Sequence, residues 1–399
     1  MSYDFILSEA MALEKEFTDI RRCLHAHAES GFSMPYTVGL VCSKLKEYGY
    51  TPRMCGRSGI SATVGGGGKV FLLRADMDAL RMNEETELDY ASESGNMHAC
   101  GHDMHTAMLL CAAKILKAHE NELCGTVKLM FQPAEEILEG AKDMIDSGVL
   151  CEPKVDAALM IHVLAGVGAK SGAVVFPSES ESAPSADHFK ITVKGSACHG
   201  SSPQNGRDAL LAACYIMIAL QEISSRELGM ADRAVITVGR MEAGSAPNAI
   251  AEKAELFGTA RAFGAHTSDA LKKRITEICH ATASAFRAEA EVSFNMSCPV
   301  LKNDMELCSA VRSYCAEILS AESLLAAESV LGASGGSEDF AYISQIVPSL
   351  SVSVCAGQGK YPLHHPKVRF DESVIPIGAA VYVRAAMRWL EDANGVKDR

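Results

Sequence analysis

His98, Cys100, His102, Asp103 and His105 fall within the nine residues 97–105 (MHACGHDMH), and downstream the segment 131–136 (FQPAEE) adds two adjacent carboxylates. Thiolate, imidazole and carboxylate are the donors that hold borderline divalent ions such as zinc, and a carboxylate left beside the ligands can take a proton from water. Cys100 and His102 are two apart, so a loop, or a strand with both on one face, can aim them at one point. An isolated Cys or His is more often a packed core residue. Gly101 between these two, and three more polar neighbours, argue against that reading here.

Glu135 and Glu136 follow an apolar run and Pro133. Acids at a helix start are ordinary, because carboxylates suit helix N-termini; the pair gains weight only beside the His/Cys cluster. His162 ends an apolar run and His364 stands in the loop GQGKYPLHHPK, each a weak candidate taken alone. His199 lies in the small-residue segment GSACHGSSP, Asn248 in GSAPNAI and Arg261 in GTARAF, where solvated surface residues are the usual finding. Asp76 and Asp78 follow a strand and either orient ligands or cap a turn.

A rival motif is present. Residues 332–336 (GASGG) match GxSxG around Ser334, with Asp339 and His364 following in the order of α/β-hydrolases. A nucleophile elbow needs a buried strand just before the serine, whereas 326–331 (AAESVL) is short and interrupted by Glu328. The chain has no HExxH, no Walker A pattern and no GxGxxG in a dinucleotide-binding context.

These side chains need elements to carry them. Apolar spacing predicts helices over 6–26 and 36–48, then short strands at 60–64 and 70–73 around four consecutive glycines, as a hairpin. A helix over 106–118, a buried strand over 126–131, a helix over 140–147 and a strand over 155–163 follow. Polar residues gather where the strands finish, which fits an α/β sheet with its site at the carboxyl ends. Residues 177–184 (PSESESAP) read as a linker. Beyond it the order is strand 189–193, helix 208–225, strand 234–240, strand 254–263, helix 267–288 and strand 291–295. That β-α-β-β-α-β order marks a ferredoxin-like insert. Helix and strand alternation resumes after Pro299. The expected organisation is a discontinuous α/β catalytic domain, 1–184 with 299–399, and an inserted α+β domain, 185–298.

At 399 residues the chain exceeds the usual size of one core, which agrees with two domains. Fifty acidic against 37 basic residues leave a net charge of −13, which argues against a nucleic-acid surface built on phosphate neutralisation. Fourteen scattered cysteines without a CxxC pair read as reduced thiols, pointing to the cytoplasm. The first residues lack a basic start followed by a long apolar run, and no apolar stretch approaches the roughly 18 to 20 residues of a membrane span.

In order, the segments RRCLHAHAESGFSMPYT, LLRADMDALRMNEE, MHACGHDMHTAML, FQPAEEILEGAKDMIDSG, GSACHGSSP, RMEAGSAPNAI, GTARAF, GGSEDFAY and LHHPKVRFDE resemble the M20 metallopeptidase family. They are most similar to its amidohydrolase branch of hippurate hydrolases, auxin-conjugate hydrolases and N-acyl amino acid deacylases. The resemblance spans about 21–372. It implies two divalent metal ions (zinc or manganese, with cobalt or nickel also suited) bridged by Cys100, with Glu136 and His364 completing one site and His102 and His162 the other. Glu135 is then the general base toward water, His199 an oxyanion stabiliser that reaches the partner subunit's active site, and Asn248 and Arg261 substrate-binding residues. The insert is implied to be a lid that also forms a homodimer.

The resemblance implies hydrolysis of N-acyl amino acids or related conjugates to a carboxylic acid and a free amino acid. Dipeptidase or carboxypeptidase action on short peptides is the alternative, and a non-catalytic binding protein would be marked by loss of a ligand or the base. Ala28, Arg81 and Ala251 stand where the family often has proline, and His365 where it often has serine. Arg81 adds a positive charge beside the site, and His365 leaves two adjacent histidines for one ligand position, with the register of KVRFDE favouring His364.

Overall fold

A computed structural model describes residues 5–330, 336–357 and 359–395, so Ser334 lies outside the described residues. In chain order the first elements are α1 (Phe5–Ala12), α2 (Glu14–Ala26), α3 (Pro35–Glu47), β1 (Arg53–Cys55), β2 (Gly59–Gly65), β3 (Val70–Asp76), α4 (His102–Ala118), β4 (Thr126–Gln132), α5 (Gly140–Asp146), β5 (Ala157–Leu164) and β6 (Val174–Phe176). Then come β7 (Glu181–Ala183), β8 (Ala186–Lys194), β9 (Cys198–His199), α6 (Ala209–Ala219), β10 (Ala234–Ala243), β11 (Ala249–Ile250), β12 (Lys253–Ala262), α7 (Ala265–Ala285) and β13 (Glu289–Cys298). The chain closes with β14 (Leu301–Lys302), α8 (Met305–Cys315), β15 (Leu324–Ala326), α9 (Ala341–Ser344), β16 (Ser349–Cys355) and α10 (Ile375–Ala393).

It divides into two compact units, one formed by Met1–Ser180, Lys302–Ser334 and Asp339–Arg399, the other by Glu181–Leu301 and Gly335–Glu338. Each has its own apolar core.

The first unit is an α/β fold on a mixed eight-stranded sheet in the order β1-β2-β4-β3-β5-β16-β6-β15. Its centre, β4-β3-β5-β16, is parallel. Every residue of β3 and β4 is buried, as expected of parallel strands covered on both faces. The carboxyl ends of these four strands therefore meet at one edge, and each leads into a candidate site segment. The helix α4 starts at His102 because Gly101 holds φ +87°. A side chain at Gly101 would also collide with Val163 and Phe370, so only glycine serves there.

The expected hairpin between the strands at 60–64 and 70–73 does not form. β4 is inserted between β2 and β3, antiparallel to β2 and parallel to β3. The glycine run instead wraps the start of β4, where Thr126 Oγ1 donates to the Gly67 carbonyl at 3.1 Å and Thr126 N to the Lys69 carbonyl at 3.0 Å. The helix expected over 6–26 is broken at Leu13 into α1 and α2.

The second unit is a four-stranded antiparallel sheet, β10-β12-β8-β13, joined by α6 and α7 in β-α-β-β-α-β order. The expected linker at 177–184 contains β7. The expectation that no apolar stretch approaches the length of a membrane span does not hold by length and composition: Ala209–Glu227 is long and apolar enough, although Gln221, Glu222 and Arg226 punctuate it. Here Ala209, Ala212, Ala213 and Ile216 of α6 are buried within the second unit's core.

Candidate metal centre

Three elements converge at the carboxyl edge of the parallel strands. The loop before α4 supplies Cys100, α4 itself His102, and β5 contributes His162; these three bring one donor atom each within 4.8 Å of one another. Cys100 is also grouped with Glu136, from the turn after β4, and His364, from the loop after β16. His162 Nε2 lies 3.5 Å and His364 Nε2 3.2 Å from the Cys100 sulfur. His365 does not compete for that position, since its ring stacks on Tyr361 at 4.3 Å.

The ring orientations are set from behind. Carbonyl oxygens only accept, so His102 Nδ1–H donates to the Asp78 carbonyl at 2.8 Å and His162 Nδ1–H to the Val163 carbonyl at 2.7 Å. Both rings thereby carry an unprotonated Nε2 in their neutral form, the tautomer that ligation needs. Among the described residues His102 Nε2 is buried with no hydrogen-bond partner, 3.9 Å from both Glu135 and Glu136. A buried acceptor in that state costs free energy unless something else occupies it.

Asp78 also places the carboxylate pair. Its two oxygens accept the Glu135 N–H at 2.9 Å and the Glu136 N–H at 3.3 Å, and Ala134 just before them takes φ +56°. Gly140 closes the same turn, since a Cβ there would meet the Pro133 carbonyl. Consecutive residues then diverge: Glu136 joins the Cys100–His364 group, while Glu135 belongs to neither group that contains Cys100.

His105 is a different case despite its place in the motif. Its Nδ1–H donates to Asp76 at 2.5 Å and its Nε2 accepts from the Val163 N–H at 2.8 Å, so no lone pair remains for a metal. Asp76 is further paired with the buried Arg74 at 2.7 Å. Both residues of the group Asp76–His102–His105 other than His102 are thus committed to holding β3, β5 and α4 together.

Electrostatics agree with a cation-seeking centre. Burial pushes the Cys100 thiol up. Burial opposes charge on His102, yet Asp76 and Cys100 outweigh it and hold that imidazole well above its ordinary pKa. Burial, aided by the charge of His105, drives His162 well below the usual value, and burial with His102 lowers His364. A bound divalent ion favours thiolate and unprotonated imidazole, so it would draw both the Cys100 and the His102 pKa down. The donor set therefore fits two divalent ions.

A family model for peptidase family M20/M25/M40 matches residues 72–388. This chain belongs to that family. The M20 chain is 34% identical over 391 residues to an N-acetyl-L-cysteine deacetylase of Bacillus subtilis, covering 96% of this chain and 90% of that protein. It is 35% identical over 400 residues to the IAA-amino acid hydrolase ILR1-like 4 of Arabidopsis thaliana, covering 95% and 88%. Among solved structures, the YXEP protein of Bacillus subtilis, described as a dinuclear metal-binding peptidase of the M20 family, matches with a TM-score of 0.80 at 30% identity, over 95% of this chain and 99% of that one.

The remaining candidates of this M20 enzyme sit in the second unit. His199 on β9 pairs across the ribbon with Ala249 on β11, and Asn248 precedes β11, so these two are neighbours. Both are exposed. The Ser201 N–H donates to His199 Nδ1 at 3.1 Å, which leaves the ring proton on Nε2. Arg261, on β12, donates to Ser337 Oγ at 2.8 Å. The Ser334 reading has no support among the described residues: Asp339 is engaged by Arg74 at 2.9 Å, Gln132 at 2.7 Å and the Ala141 N–H at 2.8 Å, while His364 faces Cys100.

Sequence reasoning passed over one buried cluster beside the centre, formed by Arg21, His25, Glu84 and Asp103. The one available signal was Arg21 and His25 four apart on a single helix face.

Proposed function

We propose that this M20 enzyme hydrolyses the amide bond of N-acyl amino acids or related conjugates, releasing a carboxylic acid and a free amino acid. One observation carries the reading. Two donor groups, Cys100–His102–His162 and Cys100–Glu136–His364, share a single sulfur, and Glu135 stands beside His102 without belonging to either. We assign Cys100, His102, Glu136, His162 and His364 as ligands of two divalent ions, zinc or manganese foremost with cobalt and nickel also suited to the mixed donors. When bound, such ions lower the pKa of water and polarise the scissile carbonyl.

The chain's own residues do the rest. Glu135 takes a proton from the attacking water and returns it to the departing nitrogen. His199, with its proton on Nε2, donates a hydrogen bond to the oxyanion. Arg261 suits a bidentate contact with the free carboxylate of the amino acid, and Asn248 orients the substrate.

We further assign the second unit as a lid and homodimerisation domain. β10 is an edge of its sheet, and α6 presents Leu211, Tyr215 and Ile218 at 43%, 50% and 62% exposure. An unpaired edge beside an exposed apolar helix face is what a second copy can cover. None of the fourteen cysteines is in a disulfide, which supports a reducing, cytoplasmic setting.

The test is a turnover screen of N-acetyl, N-benzoyl and indole-acetyl amino acids beside dipeptides, after reconstitution with each metal. Turnover of acyl amino acids in preference to dipeptides is expected. Preference for dipeptides establishes the peptidase alternative, and failure of the whole panel refutes the reading.

A further inference from the structure

His25 of α2 is fully buried and is not among the assigned ligands, yet both of its ring nitrogens face carboxylates from different segments. Nδ1 lies 2.8 Å from Asp103 Oδ2, and Nε2 lies 3.1 Å from each oxygen of Glu84. Arg21 Nη2 sits 3.1 Å from the same Nδ1, and its Nε meets Asp103 at 2.7 Å. Each carboxylate faces a ring nitrogen, and only the doubly protonated ring donates to both.

The consequences of that geometry reach the metal centre. Asp103 follows His102 directly, and its Oδ1 accepts the Met104 N–H at 2.9 Å, so it is built into the first turn of α4. The buried Glu84 side chain accepts the Ser92 N–H at 2.8 Å and the Thr86 hydroxyl, gathering the loop between β3 and α4. That loop also contains Asp78, which orients His102, Glu135 and Glu136.

We infer that His25 is a positioning residue of the metal centre, a doubly protonated imidazolium that ties the 84–92 loop to Asp103 and so fixes the helix turn bearing His102. The inference rests on His102 being a metal ligand, as proposed above. The groups facing His25 are Arg21 on its own helix, Asp103 on α4, and Glu84, Tyr90 and His98 from the loop, with the Tyr90 ring edge-on at 5.5 Å and the His98 ring at 6.1 Å. Arg21 also reaches Glu372 at 3.2 Å, so its charge is shared, and Glu84 depends on His25 for compensation. His98 is pushed by burial down to about 3 and stays neutral. Burial opposes the charge on His25, but its bonds to Asp103 and Glu84 outweigh it and raise its pKa. Stability from this clamp is therefore fully present below the ordinary imidazole value and is lost as pH rises through the raised one.

The test has three readouts. Nitrogen-15 NMR of the metal-free wild type should show His25 keeping both ring protons at a pH above the ordinary imidazole value; a neutral tautomer there overturns the inference without any variant. Zinc binding by chelator competition should weaken by ~10- to 100-fold at one of two sites in His25→Gln, the range for partners that orient ligands. His25→Gln combined with Glu84→Gln removes the stranded carboxylate and restores thermal stability, while zinc binding stays weakened; recovery of wild-type zinc affinity in that double variant would overturn the positioning role. Should wild type itself bind no zinc, it is the metal-centre reading that fails, whatever the NMR shows.

Discussion

The candidate residues of the two units are held in opposite ways. In the first unit Cys100 and His102 are buried, and Asp78 alone fixes one imidazole and two glutamate backbones. In the second, His199 and Asn248 are exposed on a two-stranded ribbon, and among the described residues the His199 ring is oriented by Ser201 two residues away. Groups that must hold a cation need their donors fixed before it arrives, because each misplacement is a loss of affinity. Groups that meet a variable substrate do better on elements that open at little cost. On the proposed roles, metal chemistry and substrate handling would occupy different mechanical environments within one chain.

The comparison can be broken by substitution. Glu135→Gln should lower kcat by ~10²- to 10⁴-fold, the usual range for a general base, while metal content measured by mass spectrometry stays at the wild-type level. Near-normal turnover would remove Glu135 from its role. Cys100→Ala should reduce bound metal at both sites together, because the two donor groups share that sulfur; unchanged stoichiometry would show that the cysteine is packing.

His199→Ala should cost about 10²-fold in kcat, within the range for losing an oxyanion donor, with metal content and thermal midpoint unmoved. A drop in metal content in that variant would erase the distinction between the two regions. The smallest effect is expected for Ile218→Glu on the outer face of α6. It should halve the mass measured by light scattering while shifting monomer stability by no more than about 0.5 kcal/mol, as surface changes usually do. A variant that keeps the wild-type mass would remove this face of α6 from the proposed dimer contact.

Much of the first unit was legible because buried parallel strands read as apolar runs and their polar ends stand out in sequence. The donor cluster at 97–105 and the pair at Glu135 and Glu136 are local features of that kind. What was not legible was partner choice. β2 and β3 are adjacent in sequence with glycines between them, yet β4, some fifty residues later, separates them, and local pattern carries no information on such insertion. His102 and His105 are equivalent by composition. Only the distances show that His105 spends both nitrogens on Asp76 and Val163 while His102 keeps one facing the centre. The same holds for His25, whose two carboxylate partners come from positions 84 and 103.

By itself the sequence determined the chemistry available: which donor types exist, that they fall at strand ends, and that an α+β segment interrupts the α/β frame. Tertiary structure decided which of those donors remain unspent. A ligand is defined by a lone pair with no other partner, and whether a nitrogen is already hydrogen-bonded depends on residues far away along the chain.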